Sequence, residues 1–481
     1  MTANRKPWSA QNDRELRLSK VGWVLGLVFA VAVLVAGGIF WGLVVLLDFQ
    51  EIDSTAKLDA KTLFDLVKLS FGVVAGAGAL VALVVAYRRQ RVDEAGAHRE
   101  ATRLHTERFS QAVDKLGSDS PAVRLGGIHA LAGLADDAPD HNLRQTCIDV
   151  LCAYLRLPFP PDPGDPPDNT STEEQREAHQ DKKDRYRALR EVRHTILRLI
   201  GDHYRIPQSA HRSWQGCNLD LTGVTIDGDM DFNGATFTGG RVSFGGATFS
   251  DGLVSFRAAS FSGGQVSFDG ATFSGGQVLF SNASFSGGRV SFGGASFSGG
   301  QVSFDASFSG GQVSFVSASF YDGVVGFSHA SFSSSEVDFD GARFTGGQVL
   351  FRDATFSGGK VFFRASFTGG QVAFDRAMFT GGQVAFDRAM FTGGQVAFSD
   401  ATFSGSAVDF DLATFSRSQV SFKGTTFSGG QMHFGRAMFS GGVVSFDGAM
   451  FSGGIVAFGD ATFSGGQVSF DGATGTVPSI Q

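Results

Sequence analysis

Acid–base, nucleophilic or metal chemistry in this 481-residue chain would have to come from ten histidines, three cysteines and 47 acidic residues. Their spacing supports none of it. No Gly-rich run ends in Gly-Lys-Ser/Thr, and there is no G-x-S-x-G, no H-E-x-x-H and no Cys/His group with metal-ligand spacing. Cys147, Cys152 and Cys217 make neither a C-x-x-C nor a disulfide framework, and read as small buried hydrophobes in a reducing compartment. His329 and His433 stand alone, and His194 and His203 are nine residues apart in a predicted helix, so packing or surface roles are expected. Asp375-Arg376 and Asp387-Arg388 fall at predicted exposed corners, where ion pairs contribute little. Asn169-Thr170-Ser171 is a glycosylation sequon by pattern alone. No catalytic residue, cofactor or metal is expected.

One chemical feature is less bland. Met378, Met390, Met438 and Met450 occupy positions that elsewhere hold mostly Ser or Thr, with Arg376, Arg388 and Arg436 close by. Met makes adaptable apolar contacts, and both Met and Arg are enriched at interfaces. These seven residues are the candidate contact for an unknown protein partner.

The element that must position them is a repeat. From Ala235 to Gly472 the phrase A-x-F-x-G-G-x-V-x-F-x-x is written twenty times, in eighteen units of 12 residues and two of 11, Ala295–Asp305 and Ala354–Arg364. Both Phe positions are invariant across the units; Met432 is the one departure at Val, and Thr425 the one at the first Ala. A-x-F and V-x-F each put two apolar residues on one face of a strand. Gly-Gly suits a corner with positive φ or close backbone approach. A fixed period of this kind marks a stack whose units bury their apolar faces on one another. The chain therefore reads as a β-solenoid with a phenylalanine core. If each unit is half a coil, the twenty units make about ten coils and a rod of roughly 48 Å; if a full coil, about twice that. Two inward pairs per unit favour the half coil. That geometry would also keep Met378 and Met390 from sharing a face.

Just upstream, Cys217-Asn218-Leu219-Asp220-Leu221 and Thr222-Gly223-Val224-Thr225-Ile226 resemble two pentapeptide repeats. The resemblance implies a right-handed four-sided β-helix in which a small and a large residue point inward on each side. Phe to Phe spacing alternates between 7 and 5 (Phe237, Phe244, Phe249, Phe256) instead of a steady 5, which reads as corners enlarged at Gly-Gly. The strings from Glu107 to Ser118 and from Val123 to Leu131 resemble the helical segment before the repeats in bacterial membrane-anchored pentapeptide-repeat proteins.

The remaining boundaries follow charge and proline. Residues 1–20 carry five basic groups and read as a cytoplasmic tail; 21–47 are uncharged and long enough for a first transmembrane helix. An external loop, 48–68, leads to a second uncharged stretch, 69–87, closed by Arg88-Arg89-Gln90-Arg91. The Lys/Arg placement puts both termini in the cytoplasm of a two-span protein held by the lipid bilayer, with a membrane hairpin as its first element. A helical segment at 88–157 follows, then a Pro-rich and polar linker at 158–184, a helix with the lead-in at 185–216, and the solenoid at 217–481. The part from Cys217 onward has a net charge of −8, against +1 before it, which disfavours direct binding of nucleic acid. The expected function is a non-catalytic, membrane-tethered scaffold whose cytoplasmic solenoid mediates protein–protein interaction. The family resemblance implies an alternative: a DNA-mimicking modulator of a topoisomerase or another nucleic-acid-binding protein. Oligomeric state is left open.

Overall fold

A computed structural model of the chain describes residues 60–165 and 172–478, together with helical positions 26, 27, 30, 31, 33, 34, 37, 38 and 41. The chain divides into two compact units, Met1–Arg103 and Leu104–Gln481. Four helices have defined bounds among the described residues: α1 (Ala60–Leu116), α2 (Pro121–Asp136), α3 (His141–Arg156) and α4 (Glu173–Arg205).

The first unit corrects the expected anchor. Most of 21–47, like the tail and the larger part of the expected external loop, lies outside the described residues. The second expected span is part of α1, one continuous helix of 57 residues. Among the described residues no helix is long and apolar enough to cross a membrane. The uncharged stretch is not a helix of its own: α1 enters it through Lys61, Asp65 and Lys68. The same helix then runs on into the charged stretch that begins at Arg88. The multi-pass placement with both termini cytoplasmic is therefore withdrawn.

In the second unit α3 and α4 pack on the start of the solenoid, and α2 packs on both of them. α2 begins with Pro at its first position; α3 is capped by Asp140, whose side chain accepts from Leu143 N at 2.9 Å. α4 starts within the stretch read as linker, because Thr172 and Gln175 form a capping box. Its stripe of Val192, Ile196 and Ile200 is fully buried, and so are Ile148 and Leu151 of α3. Tyr204 of α4 lies 5.1 Å from the Phe237 ring and donates to Cys217 O at 2.9 Å. Buried Trp214 and Phe232 complete this cap, which covers the apolar end of the stack.

The solenoid itself is parallel throughout. Thr236 pairs with Ser260 and Val242 with Val266, an offset of 24 residues, so two units make one coil. Each coil has four sides: side 1 (Thr236–Phe237 and its equivalents), side 2 (Arg241–Ser243), side 3 (Thr248–Phe249) and side 4 (Leu253–Ser255). Sides 3 and 4 are each an 11-stranded sheet. Sides 1 and 2 join into one sheet because the strands Thr426–His433 and Met450–Ala457 run round the corner between them. The half-coil reading holds.

Every inward Phe stacks on its counterpart one coil away, as in Phe237–Phe261 at 4.8 Å and Phe244–Phe268 at 4.9 Å. Across the core the rings of sides 2 and 4 meet edge-on, Phe244–Phe256 at 6.3 Å and 87°. The two short units each remove one residue from a different corner. At the second, Ala365 N donates to Phe363 O at 2.7 Å, in place of the regular bond typified by Ala247 N to Phe244 O at 3.0 Å.

Phe339 is fully buried and stacks at 4.7 and 4.8 Å on Phe315 and Phe363. Phe339→Ala is expected to destabilise the solenoid by about 3–5 kcal/mol. Met378→Thr, on the outer surface, should stay within about 0.5 kcal/mol of the parent. Chemical denaturation followed by far-UV circular dichroism checks both; equal midpoints for the two variants would overturn the stacked-core account.

Candidate functional site

Inward positions are all but identical, so chemistry that differs along the rod is confined to outward side chains and corners. The two kinds of corner differ. Sides 1–2 and 3–4 are joined by Gly-Gly, where Gly347 has φ +65° and a Cβ there would lie 2.6 Å from Gly323 O. Sides 2–3 and 4–1 are joined by a two-residue turn whose second residue has positive φ in most coils, including Arg376 (56°), Arg388 (59°) and Arg436 (52°). These side chains are thrown clear of the rod, and several pair with carboxylates of the coil before. Arg376 grips Asp353 with two bonds of 2.8 and 2.7 Å, Arg436 reaches Asp411 at 2.6 Å, and Arg364 reaches Asp340 at 2.9 Å. The corner carboxylates are thus interleaved with guanidinium groups rather than lined up as a phosphate-like row.

The four methionines are outward and about half exposed. Met378 and Met450 lie on side 1, three coils apart in the register Met378–Thr402–Thr426–Met450. Met390 and Met438 lie on the opposite side 3, two coils apart through Thr414. Arg376 borders side 1, whereas Arg388 and Arg436 border side 3. The seven residues form two sparse groups on opposite faces, not one patch.

The capped end holds two polar clusters that single-residue inspection of the sequence passes over. Asp136, buried at the end of α2, receives His203 Nε2 at 3.0 Å, Trp214 Nε1 at 3.1 Å and Arg212 Nε at 3.0 Å. His203 also bonds Leu199 O through Nδ1 at 2.6 Å and stacks on Trp214 at 4.1 Å. Asp227, on the first coil, receives Tyr186 Oη at 2.6 Å, Arg190 Nε at 3.2 Å and His194 Nε2 at 3.4 Å. Burial pushes both carboxyls up; the donors around each more than offset this and hold both below the usual carboxylate range. Burial and the neighbouring Asp227 push the Tyr186 phenol up to about 12. A groove of about 640 Å³ opens beside Asp227 between α4 and the first coils, lined by Phe159, Lys183, Arg187 and Ser250 among others. Neither cluster places a nucleophile beside a free base, because each carboxylate already receives three donors. They are locks between α2, α4 and the first coil. The partners are 33 to 78 residues apart, so no local spacing signals them.

The cysteines are buried and free. Burial pushes the Cys147 thiol up to about 11 and Cys152 up to about 12, which leaves both largely unreactive near neutral pH. His329 and His433 are on the solenoid surface, with His329 3.9 Å from Asp353.

Compared with protein-family models, with curated proteins and with solved structures, the chain matches none of them. The chain folds as a β-solenoid of about eleven coils with stacked phenylalanines. It is a repeat fold suited to protein interaction.

Both locking carboxyls titrate lower in the folded chain than in the unfolded one. Their stabilisation is complete above the ordinary carboxylate range and is lost as pH falls through and below it. Protection of the α4 amides, corrected for their intrinsic exchange rates, is expected to fall below about pH 4, before that of the mid-rod strands does. Asp227→Asn should lower cap stability by about 2 kcal/mol at neutral pH and flatten its acid dependence. Superimposable stability–pH curves for parent and variant would remove Asp227 from this account.

Proposed function

We propose that the solenoid is a non-catalytic docking rod for protein partners and that it is a divergent pentapeptide-repeat β-helix. The observation that carries the first part is the saturation of the interior. Phenyl rings fill the core from Phe237 to Phe451 with at most 5 % exposure, leaving outward residues as the only ones free to recognise anything. A rigid stack with paired strands along its whole length offers a long surface that does not deform on binding. The second part is supported by four sides per coil, each presenting a small and a large inward residue, with the extra residues at the Gly-Gly corners.

Partner contact falls on the Met-bearing sides. Exposed methionine adds apolar area to faces otherwise made of Ser and Thr, and neighbouring Arg388 adds a cation. The DNA-mimic reading gains no observation here, since the corner carboxylates alternate with Arg376, Arg364 and Arg436.

Partner capture with the full chain should be lost when residues 225–481 are removed. Two double variants then locate the face: Met378→Thr with Met450→Thr on side 1, and Met390→Thr with Met438→Thr on side 3. One pair should weaken capture about tenfold, and both should leave thermal unfolding unchanged, because Thr already occupies this column. Unaltered affinity in both would remove the methionines from the contact.

A further inference from the structure

Sides 2 and 4 are encoded by the same phrase, x-V-x, yet they differ in one respect. From the second coil onward side 2 has gathered six charged outward residues: Arg241, Arg289, Glu336, Asp338, Lys360 and Asp409. Side 4, over the ten strands from Leu253–Ser255 to Gln467–Ser469, has none. The repeat itself cannot account for this, because both sides arise from the same positions of the unit.

The first outward position of side 4 is glutamine in seven of the ten strands, against four on side 2, and Gln277–Gln301, Gln348–Gln371, Gln371–Gln395 and Gln395–Gln419 follow one another in register. Successive amides bond along the column, Gln277 to Gln301 at 3.5 Å and Gln395 to Gln419 at 3.3 Å. Beside them run small residues with apolar points between. Leu253 and Val443 are each 39 % exposed, and Leu279 and Leu350 are half-buried at the outward position. The result is a flat sheet face without charge, a property it shares with side 1, on a rod whose side 2 and corners carry both signs; the amide column is what sets side 4 apart from side 1.

We infer that side 4 is the interface through which two copies of this chain pair face to face. Three features of the face select a second copy over another kind of partner. A side-chain amide is donor and acceptor at once, so a column of them is complementary to itself under a two-fold axis. The absence of charge removes the like-charge repulsion that any self-pairing of side 2 would meet. The size is also adequate: ten strands at ~4.8 Å and about five residues across at ~3.3 Å give roughly 800 Å² per copy, the area of a standard stable interface. Pairing on side 4 would leave sides 1 and 3, with their methionines, open at the flanks. The inference does not depend on the docking function proposed above, since it concerns a different face and a different partner.

The test uses the full chain in sedimentation equilibrium over a range of concentrations. A monomer–dimer equilibrium is expected. Gln348→Lys combined with Gln395→Lys should raise the dimer dissociation constant by about tenfold or more, because each substitution brings two like charges into one interface. The same exchange on side 2, Gln265→Lys with Gln383→Lys, should leave it within about twofold, as rim and remote charges change affinity little. Thermal unfolding of both variants should match the parent, which separates a lost contact from a lost fold. A chain that is monomeric at every concentration overturns the inference and leaves side 4 to a partner of another kind. So does a dimer indifferent to the side 4 substitutions, or one weakened equally by both pairs.

Discussion

The stacking of one phenyl ring on the next, about 4.8 Å along the rod, is the constraint from which the rest of this structure follows. That distance is the spacing of hydrogen-bonded strands, so ring contact and backbone pairing are satisfied together or not at all. A coil cannot shift by one residue without turning its Phe column outward. Both inward Phe positions are accordingly filled in all twenty units, and the Val and Ala beside them are almost as uniform. Where the pattern breaks, the replacement is absorbed locally. Thr425 is fully buried, and its hydroxyl donates to Phe398 O at 3.0 Å; Met432 remains 2 % exposed.

Close stacking also dictates the corners. A chain turning every few residues while its neighbour lies one strand spacing away leaves no room for a Cβ at the tightest points, and Gly-Gly fills them. The exceptions keep the rule physical. Ser335, Ser406 and Ser418 replace the second Gly without adopting positive φ; Ser335 and Ser406 turn their hydroxyls inward to Phe308 O and Phe379 O at 3.2 Å, while at the third corner Arg417, before Ser418, takes the positive φ (55°). The looser corners between sides 2–3 and 4–1 accept Arg, Asp, Asn, His, Ser, Leu or Ala at positive φ, at a strain of about 1–2 kcal/mol each. Ion pairs between successive coils gather there because that is where side chains leave the rod.

These two constraints explain what was legible in the sequence. The solenoid, the phenylalanine core, the parallel stack and the two units per coil all follow from a short period and the direction of alternate side chains. The beginning of α4 was equally local, in Thr172 and Gln175, but the Glu- and Gln-rich composition after the prolines disguised it. The stretch 69–87 misled for a different reason: its lack of charge is local, whereas the helix that contains it is 57 residues long and carries charge on both sides of it. The locks on Asp136 and Asp227 were not legible at all. Each depends on groups brought together from α2, α4 and the lead-in by the fold itself, and none of those groups is unusual where it stands in the chain.

Two units per coil has a consequence for how such a surface acquires function. The units beginning at Ala377 and Ala389 share their first ten residues, yet Met378 faces one side and Met390 the opposite one. Copying a single unit therefore spreads a substitution around the rod, and a column along one face arises only by copying units in pairs or by independent substitution on alternate units. The absence of charge on side 4 runs through ten consecutive coils, seven of which carry glutamine there, while side 2 diverged from the same starting phrase. Duplication alone would have treated the two sides alike. The difference between them therefore arose by substitution confined to alternate units, which changed side 2 and left side 4 without charge.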